Sequence, residues 1–249
     1  MANLYFECTS GISGDMSVGA LLDLGASREK LEKALISMGL DDEFKYVISK
    51  KSINAIMATD FDVILEKEHH NFNVHHHHHE HRNLNDINQI IDKADASENA
   101  KNLAKKIFKI VAQAEAKVHG KNIDEVHFHE VGAIDSIVDI VSFAVLFDNL
   151  APKKVYFSTL VDGQGFVECQ HGKIPVPVPA VCEIVSLYKL PLKISDNEGE
   201  MVTPTGAAIA AALYTGEKLP EIVIEKVGYG AGKRPYSNPV LRVMSVFDN

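Results

Sequence analysis

The first 25 residues constrain the fold more than any other stretch. A short apolar strand over residues 4–8 passes through the turn Thr9, Ser10, Gly11, Ile12, Ser13, Gly14, Asp15 directly into a helix, MSVGALLDLG. A strand joined to a helix by so tight a turn commits the chain to a fold in which sheet and helices share one core. The patterns that follow keep both periods in play. Ser27 is an N-cap for a second helix in which Leu31, Leu35 and Met38 share a face and Gly39 supplies the stop. Phe44, Tyr46 and Ile48 alternate with polar neighbours, as do Phe61, Val63 and Leu65, which predicts a hairpin of two strands with one buried face.

Further along, the spacing predicts helices over 84–91 and 97–118, the second striped by Leu103, Ile107, Ile110, Val111 and Ala114 and ended by Gly120. An extended stretch over 126–131 leads into an apolar helix over 133–150, stopped before Pro152. A strand over 155–157 follows, then a glycine- and proline-rich hairpin and extended arm, VDGQGFVECQHGKIPVPVPA, and a helix over 180–187. Thr203 to Gly206 opens an alanine-rich helix reaching Tyr214. Two strands, 221–227 and 240–247, end the chain around the glycine loop GYGAGKRPYSNP. Strands and helices interleave too irregularly for a doubly wound sheet, and no internal repeat is present. The expectation is an α+β fold, a mixed sheet or sheets with several helices, covering 1–249 as one domain or as subdomains 1–150 and 151–249.

With 249 residues, 46% hydrophobic and 24% charged, the chain can bury a substantial core. A net charge of −9 argues against a nucleic-acid duplex or an anionic membrane as partner and suits metal cations. Cys8, Cys169 and Cys182 show no CxxC spacing, so neither a disulfide framework nor a cysteine zinc site is indicated. No apolar stretch reaches membrane-spanning length and no signal-peptide pattern is present, which predicts a cytoplasmic protein.

Eight of the twelve histidines fall in HHNFNVHHHHHEH: His69, His70, His75, His76, His77, His78, His79 and His81. Neutral imidazole binds Ni(II), Cu(II) and Zn(II), and so dense a run offers overlapping two- and three-histidine sites, which suits metal capture and hand-over; the other reading is a solvated polar loop. The run is expected to hang from the 44–65 hairpin. A second constellation is HFHEVGAIDSIVD. The strand period puts His127 and His129 on one side, the helix period puts Asp135 and Asp139 on one face, and Glu130 lies between them. Two imidazoles and two or three carboxylates are a donor set for an octahedral divalent metal. Alternatively, Asp135 assists a helix N-terminus and Asp139 faces solvent.

Three stretches have anion-binding character. Ser10, Gly11, Ser13, Gly14 and Asp15 lead into a helix N-terminus, although Asp15 can equally be the N-cap. Thr203, Thr205 and Gly206 open a later helix in the same way. Lys233 and Arg234 follow Gly228, Gly230 and Gly232 in what reads as a flexible cationic loop suited to phosphate or carboxylate, or as a plain hairpin connection. His171 is a lone turn histidine.

Taken in order, YFECTSGISGDMSVGALLDLG, the histidine run, VHFHEVGAIDSIVDIV, HGKIPVPVPA, EMVTPTGAA and KVGYGAGKR resemble the nickel-insertion protein family of the LarC type, over essentially the whole chain. The resemblance implies a nickel chelatase of the lyase class. It would insert Ni(II) into pyridinium-3,5-bisthiocarboxylate mononucleotide, forming one carbon–nickel and two sulfur–nickel bonds, to make the nickel-pincer cofactor of lactate racemase. It also implies CTP hydrolysis with Mn(II) or Mg(II). Members of the family continue past the last strand into a CTP-associated domain, so this chain is expected to be the amino-terminal part, with that domain as its partner, and inactive in CTP hydrolysis without it. Assembly into a homo-oligomer remains open. A base for loss of the pyridinium C4 proton is sought in His127, His129 and Glu130. The rival reading is a nickel metallochaperone or store without chemistry of its own.

Overall fold

The computed structural model describes residues 2–65, 82–123, 134–169, 172–234, 236 and 238–248. In chain order its elements are β1 (Asn3–Glu7), α1 (Gly14–Leu24), α2 (Arg28–Ser37), β2 (Phe44–Ile53), β3 (Ile56–Leu65), α3 (Leu84–Lys93), α4 (Glu98–His119), α5 (Ile134–Leu150), β4 (Val155–Phe157), β5 (Leu160–Gln164), β6 (Phe166–Cys169), β7 (Gly172–Pro175), α6 (Pro179–Tyr188), β8 (Leu192–Glu198), α7 (Pro204–Leu213), β9 (Ile222–Ala231) and β10 (Val240–Asp248). Six strands form a mixed sheet in the order β2-β3-β9-β10-β1-β4, while β5 pairs with β8 and β6 with β7. The class is α+β, as expected. Among the described residues no helix is long and apolar enough to cross a membrane.

Capping sets most helix starts. Ser13, Ser27, Ser97 and Thr203 each accept a backbone N–H in the first turn of α1, α2, α4 and α7, and Asn83 forms a full capping box with Asp86 on α3. Ser13, not Asp15, is therefore the cap of α1. Gly25 and Gly120 end α1 and α4 in the left-handed conformation. The hairpin residues anticipated from alternation are cross-strand partners: Phe44 opposes Leu65, Tyr46 opposes Val63 and Ile48 opposes Phe61. Leu65, at the strand end, is exposed, unlike the buried Phe44 and Phe61.

One apolar core joins the layers. Leu4 and Phe6 of β1, Val18 and Leu21 of α1, Ile137 and Val141 of α5, Ile107 and Val111 of α4, and Ala208 of α7 belong to it. Phe6 stacks on Phe157 with ring centroids 4.8 Å apart and meets Phe143 at 6.3 Å. α1 lies across β3, β9 and β10, and α5 packs behind it against α2 and α4. The glycine-rich stretch expected as a flexible loop is mostly strand. Gly228 and Gly230 lie within β9, where a Cβ would come within 2.2 Å of the Ala20 carbonyl oxygen and 1.8 Å of the Met16 carbonyl oxygen. They are glycines because the α1 backbone rests directly on the strand, not because the chain must bend there. The strands β5 and β8, which carry no strong alternation, were not legible beforehand. The histidine run, the expected strand over 126–131 and His171 lie outside the described residues.

Candidate functional site

A cavity of about 540 Å³ opens where the N-termini of α1, α5 and α7 converge with the end of β9, the last turn of α4 and the β6–β7 hairpin. That volume falls in the range of small-molecule sites, about 300–1,000 Å³.

The first wall is acidic. The Ser13 hydroxyl donates to the Asp15 carboxylate, and Asp15 Oδ1 also accepts the Met16 amide at 2.8 Å. Asp139, half-buried one helical turn after Asp135, accepts the backbone amide of Asp15. Gly14 makes this approach feasible, since a Cβ there would lie 2.5 Å from Asp139 Oδ2. Burial raises the pKa of all three carboxyls above the ordinary range, most strongly at Asp139, where the neighbouring Asp15 and Asp135 charges add to it. Asp135 stands at the cavity mouth, touching solvent but crowded by protein. The nearest cation is Lys233, whose Nζ lies 2.5 Å from Asp62 Oδ1 and 3.9 Å from Asp15 Oδ2. Burial works to lower the Lys233 pKa, but the Asp62 hydrogen bond and the charges of Asp15, Asp62 and Asp139 outweigh it and raise the value.

The second wall is the start of α7. The Ile12 amide donates to Met201 O at 3.0 Å and the Thr203 amide to Ile12 O at 3.1 Å, so the turn before α1 and the segment before α7 are laced together. Thr203 Oγ1 accepts the Gly206 amide at 3.1 Å, and Pro204, at the first helical position, has no N–H. The Thr205 amide has no acceptor among the described residues, which leaves it available to an anion at the positive end of α7. Buried Glu200 forms an ion pair with Arg234 beside it. The Tyr236 hydroxyl donates to Ser10 O at 2.9 Å and ties the β9–β10 connection to the turn before α1.

The third wall carries Glu115 and His119 of α4, 3.2 Å apart, with Glu168 and Cys169 of β6. Six carboxylates line the cavity against two fixed cations, Lys233 and Arg234. Such a lining attracts cations and accepts an anion only together with one. Among the described residues no three His, Cys, Asp or Glu side chains are arranged to hold a metal ion by themselves.

Of the residues singled out from sequence, Ser13, Gly14, Asp15, Asp135, Asp139, Thr203, Thr205, Lys233 and Arg234 line this one cavity, although they come from four separate stretches. Ser10, Gly11 and Gly206 lie behind its walls. A Cβ on Gly11 would meet Met201 O at 2.0 Å and one on Gly206 would meet Ile12 O at 2.1 Å, so both serve backbone packing. The first-turn amides of α1 expected to cradle phosphate are engaged by Asp139, Ser13 and Asp15. Asp139 does not face open solvent. His69, His70, His75, His76, His77, His78, His79, His81, His127, His129 and Glu130 lie outside the described residues. Sequence reasoning missed Asp62, Glu115, His119, Glu200 and Tyr236; only the i, i+4 spacing of Glu115 and His119 offered a signal.

Fold and cavity together define an α+β protein with an acidic ligand cleft built on helix N-termini. Comparison with known proteins narrows this class: the chain belongs to the nickel insertion protein family, which it matches over residues 4–248. It is 52% identical to the pyridinium-3,5-bisthiocarboxylic acid mononucleotide nickel insertion protein of Alkaliphilus metalliredigens over 99% of this chain and 61% of that relative. The proteins of the same description from Acetivibrio thermocellus and Clostridium kluyveri are 52% and 45% identical, over 94% and 98% of this chain and 57% and 61% of theirs. The chain thus spans about three fifths of the length of these curated relatives. No solved structure matches it.

Proposed function

We propose that this chain inserts Ni(II) into pyridinium-3,5-bisthiocarboxylic acid mononucleotide, the substrate in its relatives' names. The observation that carries the reading is the cavity itself, in which an acidic wall of Asp15, Asp135 and Asp139 faces the anion-attracting start of α7 across about 540 Å³. The nucleotide phosphate lies toward the Thr205 amide and Arg234, and the metal toward the three aspartates. Nickel is the cargo of this reaction. Oxygen donors hold it loosely, and the softer thiocarboxylate sulfurs take it from them. The pyridinium C4–H bond then breaks; its electron pair forms the carbon–nickel bond and its proton passes to a base. His127, His129 and Glu130, within seven residues of the start of α5, are the groups assigned that proton.

The aspartates also fit Mg(II) or Mn(II), which take carboxylate oxygens. Bound there, such an ion would neutralise the wall and bridge it to the phosphate. No step is routed through CTP, which the family resemblance alone implies, together with the lyase class and a partner that supplies the rest of the relatives' length. Three free cysteines suit the reducing cytoplasm.

The test is mass-spectrometric detection of nickel-bearing nucleotide after mixing the chain with the unmetallated dithio-nucleotide, Ni(II), Mn(II) and CTP. Product from this chain alone places insertion within its 249 residues. Absence of product, even with the remaining part of a relative added, sinks the reading. The acidic excess in the cavity also fits a nickel store. Removal of 69–81 separates the two, because a store loses its function while an insertase still works in abundant free nickel.

A further inference from the structure

Asp162, in β5, is fully buried yet lines no part of the cavity. Its Oδ1 accepts three backbone amides, Gly163 at 2.8 Å, Met201 at 2.8 Å and Val202 at 3.0 Å, while Oδ2 is buried with no partner among the described residues. A carboxylate is an unusual choice for a fully buried position, and one aimed at main-chain N–H groups acts by fixing that backbone.

We infer that Asp162 is the positioning residue for the nucleotide-binding wall; the inference rests on the insertion reading for what that wall binds. The segment 200–203 is held from both sides. Asp162 grips the Met201 and Val202 amides from β5, and Ile12 bonds the Met201 carbonyl and the Thr203 amide from the turn before α1. There is no slack in the packing: a Cβ on Gly163 would come within 2.0 Å of Gly199 O, and one on Gly11 within 2.0 Å of Met201 O. This segment carries Glu200, the partner of Arg234, and Thr203, the cap that aims α7. The carboxylate therefore sets where the phosphate end of a ligand meets α7 relative to Asp15, without touching the ligand.

The experiment compares Asp162→Ala and Asp162→Asn in the full chain. Amide exchange at Met201 and Val202 is expected to accelerate at least about tenfold in D162A and much less in D162N, whose amide oxygen still accepts. In the insertion assay D162A is expected to raise KM for the mononucleotide about tenfold with kcat within about twofold, and to leave Mg(II) affinity at the aspartates unchanged; D162N is expected to raise KM about threefold. Should D162A fail to fold, the D162N exchange and KM values decide. Parallel loss of KM, kcat and Mg(II) affinity, or unchanged exchange at both amides, overturns the inference. If the wild-type chain makes no product, the insertion reading fails by itself, and exchange together with binding of inorganic phosphate still decides the role of Asp162.

Discussion

The carboxylate of Asp139 accepts the backbone amide of Asp15, so the first turn of α1 holds one acidic side chain of the site against another. The contact depends on Gly14, where a Cβ would sit 2.5 Å from Asp139 Oδ2 and 2.9 Å from its Cβ. Gly14→Ala is expected to push α5 and α1 apart locally, at a cost of about 1–3 kcal/mol as for other overpacked sites. It should also weaken Mg(II) binding several-fold. Urea unfolding and calorimetric titration check the two effects, and wild-type values for both would show that the contact does not shape the site.

Crowded carboxyls make a signed prediction about pH. Burial lifts Asp15, Asp135 and Asp139, with mutual repulsion adding at Asp139. A carboxyl with a raised pKa in the folded state favours folding below its unfolded value, about 4, and loses that contribution as pH rises through the raised value. The metal-free protein is therefore expected to lose thermal stability between about pH 4 and neutrality. Mg(II), which prefers oxygen ligands, should restore more of it at pH about 7.5 than at pH about 5. Asp139→Asn, which keeps an acceptor for the Asp15 amide, should raise the metal-free Tm at neutral pH and shrink the Mg(II) increment. A Tm that climbs with pH, or a D139N protein that melts lower, contradicts the assignment.

The β9 glycines give a test of the scaffold apart from the site. A Cβ at Gly230 would lie 1.8 Å from Met16 O, and the clash is with backbone, which cannot rotate away. Gly230→Ala is expected to lift α1 from the sheet and destabilise by about 3 kcal/mol. Gly25, where a Cβ would meet nothing within 4 Å but φ is 108°, should cost only about 1 kcal/mol on replacement by Ala, from backbone strain. Chemical denaturation ranks the two, and a reversed order would mean that α1 does not rest on β9 as described.

Those glycines also mark the limit of what the sequence revealed. Serine and threonine caps, the α4 stripe and the Phe44 to Phe61 alternation report local geometry, so they were legible in advance. Asp135 and Asp139 could be paired in advance for the same reason, since four residues make one helical turn. A glycine, however, looks alike whether it supplies a turn or yields space to a helix, and Gly228 and Gly230 were read as the former. Asp162 and Glu200 were invisible because their partners, Met201 and Val202 for one and Arg234 for the other, meet them only through the tertiary fold. The convergence of four predicted stretches on one cavity was likewise beyond any local pattern.

Lys233 offers the sharpest test of how the cavity divides its labour. Its ammonium is the nearest cation to the aspartates, 3.9 Å from Asp15 and hydrogen-bonded to Asp62, with a side chain 42% exposed. Solvent screens so exposed a charge, so its pull on Asp15 amounts to only about 1 kcal/mol. Lys233→Gln removes the cation without removing length, and its effects on the two ligands should have opposite signs. A divalent cation, relieved of a competitor, is expected to bind about threefold to fivefold more tightly, while the mononucleotide, which loses an attractive charge, binds more weakly by a similar factor. Titration with Mg(II) and then with the mononucleotide measures both. If K233Q weakened both ligands alike, Lys233 would be holding the cavity open through Asp62 instead of dividing it between metal and phosphate.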